Sequence, residues 1–194
     1  SLGNHFGVIA QDGNIVQQRS NNGMHANCYQ GGWEVLKQDN LWHRVQQIAE
    51  QGLELLTAAE CPNTRTNLVL APDQMMLQIH ESVGHPLEID RILGDERNYA
   101  GGSFVKPEDF GKLKYGSPLM NITFDPTVEG EFASYSFDDT GAKATREYII
   151  KDGILQRGLG SLESQYRSGL PGVACARATS WNRPPIDRIA NLNL

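Results

Sequence analysis

Hydrophobic residues along the first third of the chain follow two different periods. Between residues 5 and 20, two apolar runs flank Asp12-Gly13, a strong turn signal, and together they predict a β-hairpin. Apolar residues then recur at helical spacing after Asp39, a favoured N-cap, which predicts a long helix from Asp39 to about Glu60. The polar residues 61–65 break this pattern, and they are the best candidate for a domain boundary.

From residue 66 onward the pattern predicts one strand, one helix and then a mainly β region. The strand is expected at residues 67–71, and the helix begins at Pro72-Asp73 with an apolar stripe. Short apolar runs between turn signals follow, as is typical of antiparallel strands. We predict these at Met120–Phe124, around residues 132–137, at Ala144–Ile150 and at Ile154–Leu159, with a short helix at Ser161–Arg167. The predicted fold class is therefore α+β: a hairpin and a long helix, then a strand and a helix that lead into a mainly antiparallel β region.

Composition and charge exclude several classes of protein. The chain has 194 residues, of which 39% are hydrophobic and 21% charged, as in ordinary globular proteins. Its net charge of −6 and the lack of a basic run argue against nucleic acid as a partner. No apolar run is long enough to span a membrane and no signal peptide is visible, so we expect no membrane association. Three widely spaced cysteines argue against a disulfide framework, which indicates a reducing compartment.

The helix predicted after Pro72 carries the candidate chemistry, in the pattern His80-Glu81-x-x-x-His85. Two imidazoles and a carboxylate within six residues can hold a divalent metal such as zinc and activate a water molecule. Glu81 is next to one of the candidate ligands, where it could act as the general base. The pattern therefore predicts a catalytic metal site.

The spacing of the two histidines requires a distorted helix. A helix turns roughly 100° per residue, so five steps place His85 about 140° from His80, and one ion could not reach both. Gly84 tolerates unusual backbone angles, and Pro86 disfavours the helical region for the residue before it. We therefore expect the helix to end before His85, with the His85 ring folded back toward His80.

Residues after the motif offer supporting groups. Glu88 and Asp90 could orient the imidazoles as possible second-shell carboxylates behind the ligands, or could be ordinary solvated charges. The glycine- and proline-rich residues 95–118 predict a long irregular loop, and long loops of this kind are often functional. This loop could flank the metal site.

Several segments keep the order and spacing of one known family. Residues 67–73, Asn-Leu-Val-Leu-Ala-Pro-Asp, and the run from His80 to Asp90 resemble the TldD/PmbA metalloproteases. Three later segments resemble stretches that follow the metal motif of that family, namely residues 136–141, 145–155 and 183–191. The resemblance runs from about residue 66 to the end of the chain, and more weakly before it.

This resemblance implies a cytoplasmic, metal-dependent peptidase that acts on unfolded or flexible peptides. It makes His80 and His85 the metal ligands and Glu81 the general base. It also implies a homodimer, or a heterodimer of a metal-bearing TldD-type subunit with a PmbA-type subunit that lacks the metal; the histidines place this chain with the TldD type. Residues 1–65 would then end an N-terminal or middle α/β domain, and residues 66–194 would be the first part of the C-terminal metalloprotease domain.

The chain departs from the family pattern in two places. Ile89 stands where the family usually has glycine, which changes little at the site. The third ligand of the family is a cysteine well downstream of the segment that matches residues 183–191, so we expect it beyond Leu194, and Cys175 does not take its role. We therefore expect the 194-residue chain by itself to bind zinc weakly and to be inactive.

Two other functions remain open on the sequence. The chain could be a non-catalytic subunit or scaffold of a hetero-oligomeric protease. It could also belong to a non-peptidase metal enzyme in which His80, His85 and Glu88 form a two-histidine, one-carboxylate set.

Overall fold

The computed structural model describes residues 2–21, 27–38 and 41–194, and contacts within the chain divide it into two units. The first unit comprises Ser1–Met75 with Gly130–Phe132, and the second comprises Met76–Glu129 with Ala133–Leu194. The domain boundary expected at residues 61–65 stays a prediction.

In the first unit a β-hairpin packs on one long helix, and the hydrophobic pattern predicted both elements. The hairpin closes through a two-residue turn between Asp12 and Ile15, in which Gly13 has a positive φ of 57°. A side chain at Gly52 would lie 2.6 Å from Val8 Cγ2, so glycine lets the helix approach the hairpin closely. The elements are β1 (Leu2–Asn4), β2 (Gly7–Asp12), β3 (Ile15–Ser20), β4 (Asn27–Tyr29), α1 (Glu34–Gln38) and α2 (Leu41–Glu54), with β1 paired to β4 and β2 to β3.

The long helix ends before Glu60, where the sequence pattern had placed its end. Helix α2 ends at Glu54 and continues as a 3-10 turn over Leu55–Thr57. The hydroxyl of Thr57 donates to the carbonyl of Glu54 at 3.3 Å, and such local bonds compete with the regular helical ladder. The N-cap predicted at Asp39 lies outside the described residues.

Residues 67–71 do not form the predicted strand. Residues 58–71 have no regular secondary structure, and Leu68 and Val69 are 78% and 92% exposed. A strand is stabilised by hydrogen bonds to a neighbouring strand, and no described residue pairs with this segment. An apolar sequence alone was therefore not enough to make a strand here.

The second unit contains a four-stranded sheet with the spatial order β10-β5-β6-β7, in which every pairing is antiparallel. This arrangement confirms the α+β fold class, although the strands are shorter than predicted. They are β5 (Ile122–Phe124), β6 (Glu147–Lys151), β7 (Ile154–Leu155) and β10 (Leu192–Asn193), and a separate antiparallel pair joins β8 (Ala176–Arg177) to β9 (Ile186–Asp187).

The strand predicted around residues 132–137 is absent from the structure. The backbone N–H of Tyr135 donates to the carbonyl of Pro126 at 2.9 Å, and Phe137 makes only an isolated bridge to Lys143. The backbone groups of this segment therefore do not pair in a regular ladder.

Short helices precede or separate the strands of the second unit along the chain, and the first of them begins in the first unit. They are α3 (Pro72–Ile79), which begins at the predicted residue, then α4 (Ile89–Leu93), α5 (Arg97–Ala100), α6 (Leu162–Ser168) and a 3-10 turn at Pro107–Asp109. Among the described residues, no helix combines the length and the apolar character needed to cross a membrane. Residues after the motif and residues of the sheet share the core: Leu87, Ile89, Ile122, Phe124, Ile149, Ile150, Leu155 and Leu159 are fully buried.

The segment at residues 158–160 holds the chain just after the metal motif. The N–H of Ile89 donates to the carbonyl of Leu159 at 2.9 Å, and the N–H of Leu159 donates to the carbonyl of Leu87 at 2.7 Å. Side chains at Gly158 and Gly160 would lie 2.7 and 2.8 Å from Ile89 Cγ1, so glycine is needed at both positions for this close approach. The backbone around Glu88 is thereby fixed to the core.

Candidate metal site

His80 and His85 lie on one π-helical turn, which spans His80–Gly84. The N–H of His85 donates to the carbonyl of His80, so the turn closes over five residues. An α-helix closes over four, and the extra residue brings a pair five positions apart onto the same face. The two rings have centroids 4.6 Å apart and planes at 88° to each other. The predicted distortion of the helix is therefore present, as a widened turn.

The prediction that the helix ends before His85 is wrong. His85 keeps right-handed helical angles, with φ −59° and ψ −42°, and Gly84 has φ −58° and ψ −70°. Pro86 acts on the hydrogen-bond ladder instead, because it has no N–H to donate. After the π-turn the chain tightens into a 3-10 turn over His85–Leu87, in which proline occupies an early position.

Gly84 is required by packing and not by unusual backbone angles. A side chain at this position would collide with Ile189 Cδ1, and it would lie 2.9 Å from Ile189 Cγ1 and 3.3 Å from Leu192 Cδ1. Glycine therefore lets the π-turn lie directly against the segment that leads into β10.

His80, Glu81 and His85 form a group that could hold a metal ion. One potential ligand atom from each residue lies within 4.8 Å of the other two. In a tetrahedral zinc site the nitrogens lie about 2.0–2.1 Å from the ion and so roughly 3.3 Å from each other, which small side-chain movements would achieve. His80 and Glu81 are exposed and His85 is half-buried, so the group opens to solvent. This donor set fits a divalent metal.

Glu88 lies behind His85 and fixes the orientation of its ring. Its Oε2 is 3.0 Å from Nδ1 of His85, and the Glu88 side chain is fully buried. A carboxylate at Nδ1 favours the tautomer with the proton on that nitrogen, which leaves Nε2 as the metal-binding atom. Burial lowers the pKa of His85, and the nearby Arg91 lowers it further, which favours the neutral form that binds metals.

Two arginines that sequence reasoning missed compensate the charge of Glu88. Arg91 Nη2 lies 3.0 Å from Glu88 Oε2 and its Nε donates to the same oxygen at 3.2 Å, while Arg188 Nη1 lies 3.9 Å away. Burial raises the pKa of Glu88 to about 7, and Arg188 and Arg91 oppose that rise. The spacing of Glu88 and Arg91 on one helical face was visible in the sequence. The approach of Arg188 is a product of the fold.

Asp90 supports the site through the backbone and not through a histidine. The N–H of Asp90 donates to Asp187 Oδ2 at 3.0 Å, and the N–H of Asp187 donates to Asp90 Oδ2 at 3.2 Å. This reciprocal pair ties α4 to β9, and it places Arg188, the next residue in the chain, beside Glu88. Burial and then the neighbouring Asp187 and Glu88 raise the pKa of Asp90 to about 7.

The structure also shows where Cys175 and the loop at residues 95–118 lie. Cys175 is buried with its Sγ 3.9 Å from Asp187 Oδ1, apart from the group formed by the histidines. The loop at residues 95–118 does contact the site region: the hydroxyl of Ser103 donates to the carbonyl of Pro86 at 2.6 Å, and Arg91 Nη1 donates to the carbonyl of Ala100 at 3.2 Å.

Comparison with known proteins identifies the family of the chain. Residues 63–194 match the family described as "PmbA/TldA metallopeptidase C-terminal domain". A metalloprotease of Methanothermobacter thermautotrophicus is 32% identical over 190 residues, which cover 96% of this chain and 38% of the relative. The chain therefore belongs to the PmbA/TldA metallopeptidase family, as the motif resemblance predicted.

Two further proteins bear on the metal and the fold. A zinc metalloprotease TldD homolog of Saccharolobus solfataricus is 27% identical over 125 residues, which cover 64% of this chain and 26% of the relative. A Thermotoga maritima protein described as a modulator of a DNA gyrase shares the fold with a TM-score of 0.66 at 17% identity, over 97% of this chain and 38% of its own. The chain thus spans between 26% and 38% of the length of these three relatives.

Proposed function

We propose that this protein is a metal-dependent peptidase whose ion, zinc or another divalent transition metal, is held by His80 and His85. The observation that carries the proposal is the π-turn, which sets the two rings 4.6 Å apart and leaves a ligand atom of Glu81 within 4.8 Å. The relative named a zinc metalloprotease supports zinc as the first metal to test.

Glu81 would act as the general base in peptide hydrolysis. A divalent ion at this site would lower the pKa of a water molecule and polarise the carbonyl of the scissile peptide. Glu81 is exposed beside His80, so its carboxylate can take a proton from that water and deliver it to the leaving amine nitrogen. Glu88, held by Arg91, keeps the His85 ring in one orientation while the rotamer of Glu81 can change.

A third protein ligand is needed, since zinc sites normally use at least three. The resemblance to the family implies that this ligand is a cysteine downstream of the segment that matches residues 183–191. Glu81 is the rival candidate, because its carboxylate lies within reach of both histidines. Glu88 is a weaker candidate, because its side chain is fully buried and the ligand atoms that converge are those of His80, Glu81 and His85, and this disfavours the two-histidine, one-carboxylate enzyme.

The exposed site is suited to unfolded or flexible peptides, and by family resemblance the protein would act in the cytoplasm. An extended peptide can approach His80 and Glu81 from solvent without a deep cleft. By family resemblance the protein would act as a dimer, with a second copy or with a PmbA-type subunit. Size measurement of the protein alone and mixed with a PmbA-type subunit would distinguish a homodimer from a heterodimer, and a monomer in both samples would contradict dimerisation.

The proposal is tested by removing and restoring the metal. In the whole protein, with its third metal ligand present, chelation should abolish cleavage of an unstructured peptide, and zinc should restore it, whereas the same sequence held in a folded host should resist cleavage. His80→Ala should lose both metal and activity, and His43→Ala, at an exposed histidine on α2, serves as the matched control. Full activity in His80→Ala, or activity that chelation does not change, would contradict the proposal.

A further inference from the structure

The carbonyl of Ser82 lacks the donor that an α-helix would give it. In an α-helix this carbonyl would accept the N–H of the residue four positions later, which is Pro86 and has none. The structure provides a donor from outside the helix: the phenol hydroxyl of Tyr115 donates to the Ser82 carbonyl at 2.5 Å. Ser82 lies between the two histidines, so this bond holds the middle of the π-turn.

The turn between β6 and β7 fixes Tyr115 from its backbone. The N–H of Tyr115 donates to the carbonyl of Gly153 at 2.8 Å, and the N–H of Gly116 approaches the same oxygen at 3.3 Å. Gly153 has a φ of 77°, and a side chain there would lie 2.7 Å from the carbonyl oxygen of Gly116, so only glycine fits. The centroid of the Tyr115 ring also lies 5.9 Å from the centroid of the Phe104 ring. The sheet therefore presents the hydroxyl in a defined position.

We propose that Tyr115 is a positioning residue of the metal-binding turn: its hydroxyl holds the Ser82 carbonyl and so maintains the π-turn that brings His80 and His85 together. If the turn became an α-helix, His85 would no longer lie on the same helical face as His80. Burial raises the pKa of Tyr115 to about 12, so its hydroxyl remains a donor at neutral pH. The consequence for metal affinity rests on the function proposed above, whereas the consequence for the turn does not.

The test uses Tyr115→Phe, which removes one oxygen, and Tyr135→Phe as its matched control. Tyr135 is similarly half-buried, and its hydroxyl also donates to a backbone carbonyl, that of Ala174, at 2.7 Å. One measurement is the hydrogen exchange of the His85 amide, which donates to the His80 carbonyl, in the metal-free protein. The other is a zinc titration of the whole protein.

Losing one neutral hydrogen bond should make exchange of the His85 amide roughly fivefold faster in Tyr115→Phe and weaken zinc binding by a similar factor. Tyr135→Phe should leave both values at the wild-type level. Equal effects of the two variants, or unchanged exchange in Tyr115→Phe, would overturn the positioning role. A wild-type protein that does not bind zinc would overturn the proposed metal site, and the exchange measurement would still decide the role of Tyr115.

Discussion

The turn that carries the candidate ligands and the polar layer behind it differ most in exposure to solvent. In the turn, His80 and Glu81 are exposed. The support layer, which we define as Glu88, Asp90, Arg91, Asp187 and Arg188, contains a fully buried Glu88 and an Asp187 that is 1% exposed. Groups that act on a substrate must be reachable, whereas groups that position them can be rigid only where water and motion are excluded.

The difference also shows where the charges are balanced. The support layer contains three carboxylates and two guanidinium groups, and buried charges are tolerated only when they are paired or hydrogen-bonded. The excess of carboxylates agrees with the raised pKa values of Glu88 and Asp90. Changes in the turn should therefore affect chemistry, and changes in the support layer should affect affinity, stability and their dependence on pH.

The largest effect is expected from Glu81→Gln in the turn. Loss of the general base should reduce peptide cleavage by roughly 10²–10⁴-fold while metal content stays normal. Glu163→Gln, at an exposed glutamate on α6, is the control. Metal analysis and turnover are measured together; loss of metal along with activity would make Glu81 a ligand, and retained turnover would remove it as the base.

Gly84→Val should damage the turn without touching a ligand. The new side chain would collide with Ile189, and overpacking of this kind typically costs about 1–3 kcal/mol, shared between stability and the shape of the turn. We expect a lower melting temperature and weaker metal binding. Gly102→Val is the control, because nothing lies within 4 Å of a side chain there. Metal affinity equal to that of the wild type would show that the turn does not depend on this contact.

Glu88→Gln breaks the contact between the turn and the support layer with little change in shape. His85 would lose the carboxylate at Nδ1, and losing such a partner typically weakens metal binding roughly 10–100-fold. Glu147→Gln, which breaks an ion pair with Arg157 elsewhere, is the control. The measurement is a metal titration with the absorption spectrum of the cobalt form. A changed coordination spectrum would instead identify Glu88 as a ligand.

Asp90→Asn should change the pH dependence of stability in the support layer. Burial and the neighbouring acids raise the pKa of Asp90 from 3.8 to about 7. The folded state therefore binds this proton more tightly than the unfolded state. The stabilisation that this protonation adds to the free energy of unfolding is complete below about pH 4 and is lost as pH rises through 7. Between pH 5 and 7 the loss is about 1 kcal/mol per pH unit.

Denaturant unfolding between pH 5 and 7 measures the slope of the free energy of unfolding against pH. Asp90→Asn should flatten it, and the variant should also be less stable throughout because an amide cannot replace both acceptor oxygens. Asp138→Asn removes one of the two side-chain oxygens that accept backbone N–H groups at another buried aspartate, and it should keep the slope, since Asp90 is intact there. Parallel slopes for the wild type and Asp90→Asn would contradict the assignment.

Features that depend on neighbouring residues in the chain could be predicted before the structure was known. Turn residues specified the hairpin of β2 and β3, proline specified the start of α3, and the spacing of His80, Glu81 and His85 predicted a metal-binding group on a distorted helix. The order of motifs was also enough to recognise the family. These properties are readable because neighbours in the chain create them.

Strand pairing, packing and ion pairs between distant segments depend on the tertiary structure. Residues 67–71 have a strand-like sequence but no described strand pairs with them, so they do not form a strand. Gly84 serves a contact with Ile189, and Arg188 reaches Glu88 only because Asp187 and Asp90 join β9 to α4. A chain pattern records which side chains can pair, whereas burial and long-range hydrogen bonds decide which of them do.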